Sequence, residues 1–289
     1  MIIGGDRQQV IANIKTAANQ RDFTAKVEVG DPVMSLNERK ALVADFWEHQ
    51  QHFTSRLNNH LGHLLFNALA RHLSATTEIQ GLDQLKGLPK GGAIITANHF
   101  NQMDALAIKR LSQSAHNKLD IVIEDTNLML PGVLRYLMNN IGTIPLVNSP
   151  SYINNIFLGH LHRQLAVNHW VLIFPEQEMW WNYRKPRKPQ RGAYYFAAKE
   201  AVPIISTFVE LRSLPQLEKS DPQFYQTKYI VHVLPTIEPD MTLSVDKRSK
   251  KMMAQDYQQK VAAYEQAYNK KLDYDFTPWD IAGWIKGMD

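Results

Sequence analysis

Short apolar runs alternate with stretches of helical periodicity through the middle of this chain, and no other feature constrains its fold as strongly. The runs predict buried β-strands at Ala93–Ala97, Ile121–Glu124, Ile141–Leu146, Trp170–Phe174, Ile204–Glu210 and Tyr229–Leu234. The helical stretches predict helices at Met103–Ser114, Gly132–Asn139, Tyr152–Val167, Gly192–Glu200 and Asp246–Leu272. Because parallel strands need crossover connections, usually helices, this alternation predicts an α/β fold with a mostly parallel central sheet flanked by helices.

Both ends of the chain are predicted to be helical. Few helix breakers occur between residues 36 and 73, where leucine and phenylalanine recur at helical spacing, and Gly62 is a candidate break. Near the other end, Thr277 is a candidate N-cap with Asp280 at N3, and the apolar face that follows consists of Ile281, Trp284, Ile285 and Met288. We expect three parts: an N-terminal helical segment at residues 1–75, an α/β core at residues 76–240 and C-terminal helices at residues 241–289.

The composition narrows the class of protein. The chain of 289 residues has a formal net charge of +4 and 21% charged residues, so we expect it to be folded rather than disordered. It contains no cysteine, which excludes disulfides, thiolate zinc sites and cysteine nucleophiles. No apolar run approaches the ~18 residues of a membrane span, and the start MIIGGDRQQ lacks a signal-peptide pattern. We expect a cytoplasmic protein, with any membrane contact peripheral and on the inner face of the cell membrane.

A histidine and an aspartate follow the predicted strand Ala93–Ala97. His99 stands at the carboxyl end of that strand, at the edge of an open α/β sheet where ligands bind. An imidazole there can act as a general base near neutral pH, and Asp104 in the first turn of the next helix can orient it. A structural interpretation is also open, in which Asn101 is the N-cap of this helix and Asp104 is the N3 residue of a capping box. The two interpretations are compatible.

Four histidines in the N-terminal helical segment form two i, i+3 pairs, a spacing that suits metal ligands on one helix face. They are His49, His52, His60 and His63. No carboxylate completes a Glu-x-x-His pattern with them, so we interpret them as solvated or hydrogen-bonded side chains and predict no metal site.

Several short motifs occur in a fixed order. Asn98, His99 and Asp104 form N-H-x-x-x-x-D, and this motif is followed by GTIPLVN at 142–148, FPEQE at 174–178, RGAYYFAAKEA at 191–201 and VPII at 202–205. In this order they resemble the motifs of the glycerolipid acyltransferase family, whose best-known members acylate lysophosphatidic acid. The resemblance covers roughly residues 79–235.

The resemblance implies an acyltransferase. The acyl group would move from a thioester, on coenzyme A or on acyl carrier protein, to a hydroxyl of a lipid acceptor, without a further cofactor. It implies that His99 deprotonates this hydroxyl, that Asp104 holds His99, and that the acceptor attacks the thioester directly without an acyl-enzyme. Substrate-binding side chains are expected among Asn98, Asn101, Glu176, Gln177, Lys188 and Arg191.

The second and third motifs depart from the family pattern. The family's second motif commonly ends in an arginine that helps to hold the acceptor phosphate, and this chain has Asn148 there. Its third motif is usually F-P-E-G-T-R-S, and Gln177, Glu178 and Met179 replace Gly-Thr-Arg. Without these cations a phosphate loses charge-assisted bonds, so the acceptor could be lysophosphatidic acid-like or another lysolipid or a glycolipid.

An aromatic and basic stretch follows the third motif. It contains Trp180, Trp181 and Tyr183 beside Arg184, Lys185, Arg187, Lys188 and Arg191. These residues could hold a sugar-bearing headgroup, bind phosphates of the acceptor or of coenzyme A, or contact anionic lipid, while the two tryptophans could equally be core anchors. No further motif supports nucleic-acid binding, and none is expected.

Two functions from different classes remain open. One is acyl transfer to a lipid, and the other is a non-catalytic protein that binds a lipid or a partner and retains the acyltransferase fold. The altered second and third motifs motivate the second hypothesis. The presence of both His99 and Asp104 favours the enzyme. The short C-terminal apolar face could lie on a membrane, although packing on the protein's own core is the expected arrangement.

Overall fold

The computed structural model describes residues 6–30, 32–73, 75–88 and 91–287. Within these ranges, seven strands form one mixed sheet in the spatial order β1-β7-β6-β2-β5-β3-β4. The strands are β1 Glu78–Gln80, β2 Ala93–Thr96, β3 Leu119–Glu124, β4 Thr143–Leu146, β5 Trp170–Ile173, β6 Ile204–Leu217 and β7 Tyr225–Val233. The fold class predicted from the sequence is therefore confirmed.

The centre of the sheet is parallel from β6 through β2, β5 and β3 to β4. In the register of the central strand, Ile95 lies opposite Leu172 on one side and Ile205 on the other. Only β6 and β7 pair antiparallel, and β1 adds to β7 in parallel. Because the five central strands share one direction, the loops that follow β2, β3, β4 and β5 all emerge at one rim of the sheet.

Helices cover the sheet. They are α1 Arg7–Asn19, α2 Leu36–Gln50, α3 Phe53–Leu73, α4 Asp104–Ser114, α5 Gly132–Asn140, α6 Pro150–Tyr152, α7 Leu158–Ala166, α8 Gly192–Glu200 and α9 Val245–Tyr268. A π-helical turn, Ile153–Phe157, joins α6 to α7, so the predicted single helix is present with a local change of pitch. The described helices include none with the length and apolar character needed to traverse a bilayer.

Strand boundaries differ from the prediction for local reasons. The strand predicted from Ile141 begins instead at Thr143, because Gly142 has a φ of 76° and forms a turn before it. The last two strands form a longer antiparallel ribbon than predicted, in which β6 continues to Leu217. Strand β1 has only three residues and no apolar alternation to reveal it.

Gly62 does not break the N-terminal helical segment. The break lies between α2 and α3, where Ser55 Oγ donates a hydrogen bond to the His49 carbonyl across the turn. Gly62 is buried within α3, and a Cβ there would collide with the backbone carbonyl of Asn140 in α5. Glycine is therefore needed at this position for the close approach of two helices.

The C-terminal segment is not the predicted amphipathic helix. It forms two short 3₁₀ turns, Pro278–Asp280 and Ile285–Gly287, although the predicted capping box of Thr277 and Asp280 is present. Long-range contacts override helical periodicity here, since Lys185 Nζ donates to Asp280 Oδ2 at 2.9 Å. Met288 lies outside the described residues.

A second apolar cluster joins segments that are distant in the sequence. Helix α1 contributes Ile14 and its neighbours, and the stretch after the third motif contributes both tryptophans. Val27, Tyr183, Phe224 and Ile281 complete the buried set. The cluster therefore fixes the path of residues 180–183 beside the rim of the sheet.

Candidate active site

His99 and Asp104 meet at the rim of the sheet. His99 lies three residues after the end of β2, and its Nδ1 is 2.5 Å from Asp104 Oδ2. The same carboxylate oxygen accepts the backbone N–H of Phe100 at 3.3 Å. Asp104 is the first residue of α4 rather than its third, so the expected capping box is wrong. The carboxylate is instead directed at the imidazole.

This pairing determines the state of the imidazole. An ionised carboxylate can only accept a hydrogen bond, so Nδ1 of His99 carries the proton and Nε2 has a free lone pair. The His99 side chain is 21% exposed and Asp104 is 4% exposed, so solvent can reach the imidazole while the carboxylate that orients it is covered. The ring of Phe174 stacks on the imidazole at 4.2 Å between centroids.

Glu176 of the third motif and Trp180, just after it, hold the backbone of His99 from both sides. Glu176 Oε2 accepts the His99 N–H at 3.2 Å, and the Trp180 N–H donates to the His99 carbonyl at 3.1 Å. The two contacts connect the loop after β5 to the loop after β2. The predicted site residue Glu176 thus lies beside the base, buried and bonded to its backbone.

A buried arginine holds Glu176. The backbone N–H of Arg187 donates to Glu176 Oε1 at 2.9 Å. The Nε and Nη2 atoms of the Arg187 guanidinium lie 3.1 and 3.0 Å from Glu176 Oε2. Its guanidinium also donates to the carbonyls of Phe23 and Glu178 and lies over the Trp180 ring. Burial lowers the pKa of Arg187, and the charge of Glu176 opposes that shift.

The two predicted asparagines hold the loop in place. Asn98 pairs with the backbone of Val209 in β6, accepting its N–H at 2.8 Å and donating to its carbonyl at 3.1 Å. Asn101 accepts the Met103 N–H and donates to Asn182 and Tyr229. Their amide groups thus already have protein partners, so the structure gives both a position that supports the loop carrying His99.

The remaining predicted binding residues are Gln177, Lys188 and Arg191. Gln177 is exposed and has a φ of 65°, at the position where the family pattern has glycine. Lys188 is exposed. Arg191 is tied to α9, with Nη2 2.6 Å from Asp246 and Nε 2.9 Å from Ser249. None of these three contacts His99 in the bonds that the structure describes.

Most of the aromatic and basic stretch is buried. Trp180 and Trp181 belong to the second apolar cluster, so they are core anchors and not platforms for a sugar. Arg184 donates to the carbonyls of Leu211 and Trp279, and Lys185 pairs with Asp273 and Asp280. The prediction that this run presents its charges to a ligand or a lipid surface is wrong for the buried members, because each charge has partners inside the protein.

The outer part of the rim carries acidic groups. Glu178 lies between Glu176 and Trp180, the two residues that hold the His99 backbone. Burial raises the pKa of Glu178; Lys26 opposes that shift and Glu124 reinforces it. At the end of β3, Arg39 forms ion pairs with both Glu124 and Asp125.

Other candidate sites are less developed. Within residues 6–30, 32–73, 75–88 and 91–287, no group of three or more metal-ligating side chains is arranged to hold an ion. Two surface depressions of about 390 and 620 Å³ lie around the α2–α3–α5 and α2–α5–α7 contacts. Neither is lined by His99.

The sequence did not predict the buried ion pair of Arg187 and Glu176. The arginine appeared only as one charge in a basic run, and its burial depends on Trp180 and Phe23, which come from different parts of the chain. No periodic signal marks a pairing inside an irregular loop. The stacking of Phe174 was missed for the same reason.

The structure thus shows an α/β protein in which a carboxylate orients an imidazole at the carboxyl rim of a parallel sheet, the edge where ligands bind in such folds. Residues 76–210 match the family model described as Acyltransferase. Residues 76–210 are therefore similar to the acyltransferase family, in agreement with the resemblance of the ordered motifs.

One solved structure similar to this chain is the 1-acyl-sn-glycerophosphate (LPA) acyltransferase PlsC from Thermotoga maritima. The sequence identity is 14% and the TM-score is 0.48, over 92% of this chain and 99% of that chain. No curated protein matches the sequence of this chain.

Proposed function

We propose that this protein transfers a fatty acyl group from a thioester, on coenzyme A or acyl carrier protein, to a hydroxyl of a lipid acceptor. The observation that carries the proposal is the 2.5 Å contact of His99 Nδ1 with Asp104 Oδ2 at an accessible rim. No cofactor takes part beyond the thioester co-substrate. Lys188, exposed beside the third motif, is a candidate contact for phosphates of the donor.

The reaction uses His99 twice. Nε2 takes the proton of the acceptor hydroxyl as the oxygen attacks the thioester carbonyl, and Asp104 stabilises the imidazolium that forms. The tetrahedral intermediate then collapses, the C–S bond breaks, and the imidazolium returns the proton to the leaving thiolate. A thiolate is a good leaving group, so one positioned base is sufficient chemistry for this exchange.

We also propose that helix α3 contacts an anionic membrane surface. Its exposed face includes Phe53, Leu57, Leu61, Leu64 and Leu65. The helix contains arginines and histidines but no carboxylate. Tyr136 of α5, which follows the rim end of β3, donates to the Asn58 carbonyl, so the start of α3 lies on the rim side of the sheet. Apolar and cationic side chains together favour a lipid interface.

The catalytic proposal is tested by His99→Ala and Asp104→Asn. We expect His99→Ala to lower kcat at least about 10³-fold and Asp104→Asn about 10²-fold, because the first removes the base and the second weakens its orientation. Transfer of a labelled acyl group to a panel of lysolipids and glycolipids, from both thioester donors, measures this.

The chain provides a matched control. His169 Nδ1 lies 2.7 Å from Asp120 Oδ2, with side-chain exposures of 19% and 4%. This pair lies at the amino ends of β3 and β5, opposite the rim that carries His99. His169→Ala should therefore preserve kcat. Equal activity of His99→Ala and wild type would reject the catalytic role and favour the non-catalytic lipid-binding alternative.

A further inference from the structure

The cations near the rim already have anionic partners, which are buried for Arg187 and exposed for Lys26. Arg187 is bound to Glu176, and Lys185 to two aspartates. Arg39 pairs with Glu124 and Asp125, and Lys26 lies 3.6 Å from Glu124. A phosphate dianion that recruited any of them would have to displace a carboxylate, which is most unfavourable at the buried Lys185 and Arg187.

The two positions where the family pattern has phosphate-binding arginines are uncharged here. Asn148 follows β4 and is exposed, and Met179 is buried with an exposure of 7%. Lys188 is exposed, and a single solvated lysine gives only a weak, screened contact. Arg187, Lys185 and Arg39 are each held by a carboxylate, so none of them forms a fork around a phosphate together with Lys188 without losing that partner.

Glu178 adds a carboxylate that interacts electrostatically with His99, as well as with Lys26, Glu124 and Arg187. Its neighbours Glu176 and Trp180 bond to the N–H and the carbonyl of His99, so the Glu178 residue lies along the same strip of the rim. The side chain is half-buried, where solvent screens a charge less than on an open surface. With Asp104 ionised behind His99, an incoming dianion meets repulsion on two sides.

We infer that the acceptor of this protein presents its hydroxyl on a headgroup without a phosphate monoester, and that Glu178 is the side chain that excludes the phosphate. The inference rests on the proposed acyl transfer and names its acceptor class. An uncharged hydroxyl-bearing headgroup, as in a monoacylglycerol or a glycolipid, needs no cation and suffers no repulsion from Glu178. The hydroxyl proton still passes to His99 Nε2, so the chemistry of transfer is unchanged.

The test compares two acceptors that differ only in the phosphate, 1-oleoylglycerol and 1-oleoylglycerol 3-phosphate, with oleoyl-coenzyme A and oleoyl-acyl carrier protein as donors. The wild type should show kcat/KM at least tenfold higher for the uncharged acceptor. Glu178→Gln removes the charge at nearly constant volume and should shift the ratio of the two kcat/KM values about tenfold toward the phosphate. Glu48→Gln, which removes an exposed carboxylate of α2, should leave the ratio unchanged.

A preference of the wild type for the phosphate acceptor, or a ratio unaffected by Glu178→Gln, would overturn the inference while the proposed transfer stands. Absence of transfer to these acceptors and to a lysoglycolipid would reject the proposed function instead.

If no transfer is detected, equilibrium binding of the two lipids to the His99→Ala protein tests whether the site excludes a phosphate. The phosphate lipid should bind at least tenfold more weakly than 1-oleoylglycerol, and Glu178→Gln should narrow the gap. Equal binding of the two lipids would overturn the inference.

Discussion

At the scale of single residues, the buried ion pair of Arg187 and Glu176 links stability to the position of His99. Both side chains are almost fully buried, with exposures of 1% and 5%. The carboxylate joins the arginine to the N–H of His99. An ion pair of this kind is a weak source of net stability, but removal of one member leaves an unpaired charge in the interior.

We therefore expect Arg187→Gln to destabilise the protein by about 3 kcal/mol, because Glu176 is left buried without its cation. It should also lower kcat at temperatures where the fold is intact, since the carboxylate no longer holds the His99 backbone. Chemical denaturation and acyl-transfer kinetics measure the two effects.

Arg212→Gln is the control for this change. Arg212 pairs with Glu210 but is 56% exposed, so its removal should cost less than about 0.5 kcal/mol. Equal losses of stability in the two variants would show that burial of the Arg187 pair has no energetic role.

At the scale of elements, the packing of α3 on α5 depends on the absence of a side chain at Gly62. Gly62→Ala places a Cβ against the Asn140 carbonyl, and we expect a loss of about 2 kcal/mol as the helices separate. Gly159→Ala is the matched change in α7, where no atom lies within 4 Å of the added Cβ. It should stabilise the protein by about 0.5–1 kcal/mol through helix propensity. Thermal denaturation of both variants checks this, and a stabilised Gly62→Ala would contradict the close approach.

The elements also show what a single sequence can predict. Each of the six predicted strands appears in the sheet, because an apolar run between helical patterns is a local signal. The His99–Asp104 contact followed from the same logic, since the residues flank one strand-to-helix turn. The C-terminal turns and the ion pair of Arg187 with Glu176 were not predictable, because each depends on contacts between segments far apart in the chain.

At the scale of the whole molecule, the exposed apolar face of α3 predicts an orientation on a membrane. We expect the triple change Leu57→Ser, Leu61→Ser and Leu64→Ser to weaken binding to vesicles of phosphatidylcholine with phosphatidylglycerol at least tenfold, because each leucine contributes about 1.5–3 kcal/mol when buried. Sedimentation with vesicles measures the partition.

Three exposed apolar residues elsewhere, Val167, Leu217 and Met241, provide the control for hydrophobicity alone. Their combined change to serine should leave vesicle binding unaltered. Binding that is equal for both triple variants, or insensitive to the anionic lipid, would reject the proposed contact through α3.

The contacts between the third-motif region and the end of the chain have a consequence for biosynthesis. Asn182 donates to the Ala282 carbonyl, and the Arg184 N–H donates to the Asp280 carbonyl. A nascent chain arrested before residue 280 can complete the central parallel strands, yet the loop beside His99 then lacks its last supports. Any acyl-transfer activity should consequently appear only after residues 280–282 have left the ribosome and bonded to this loop.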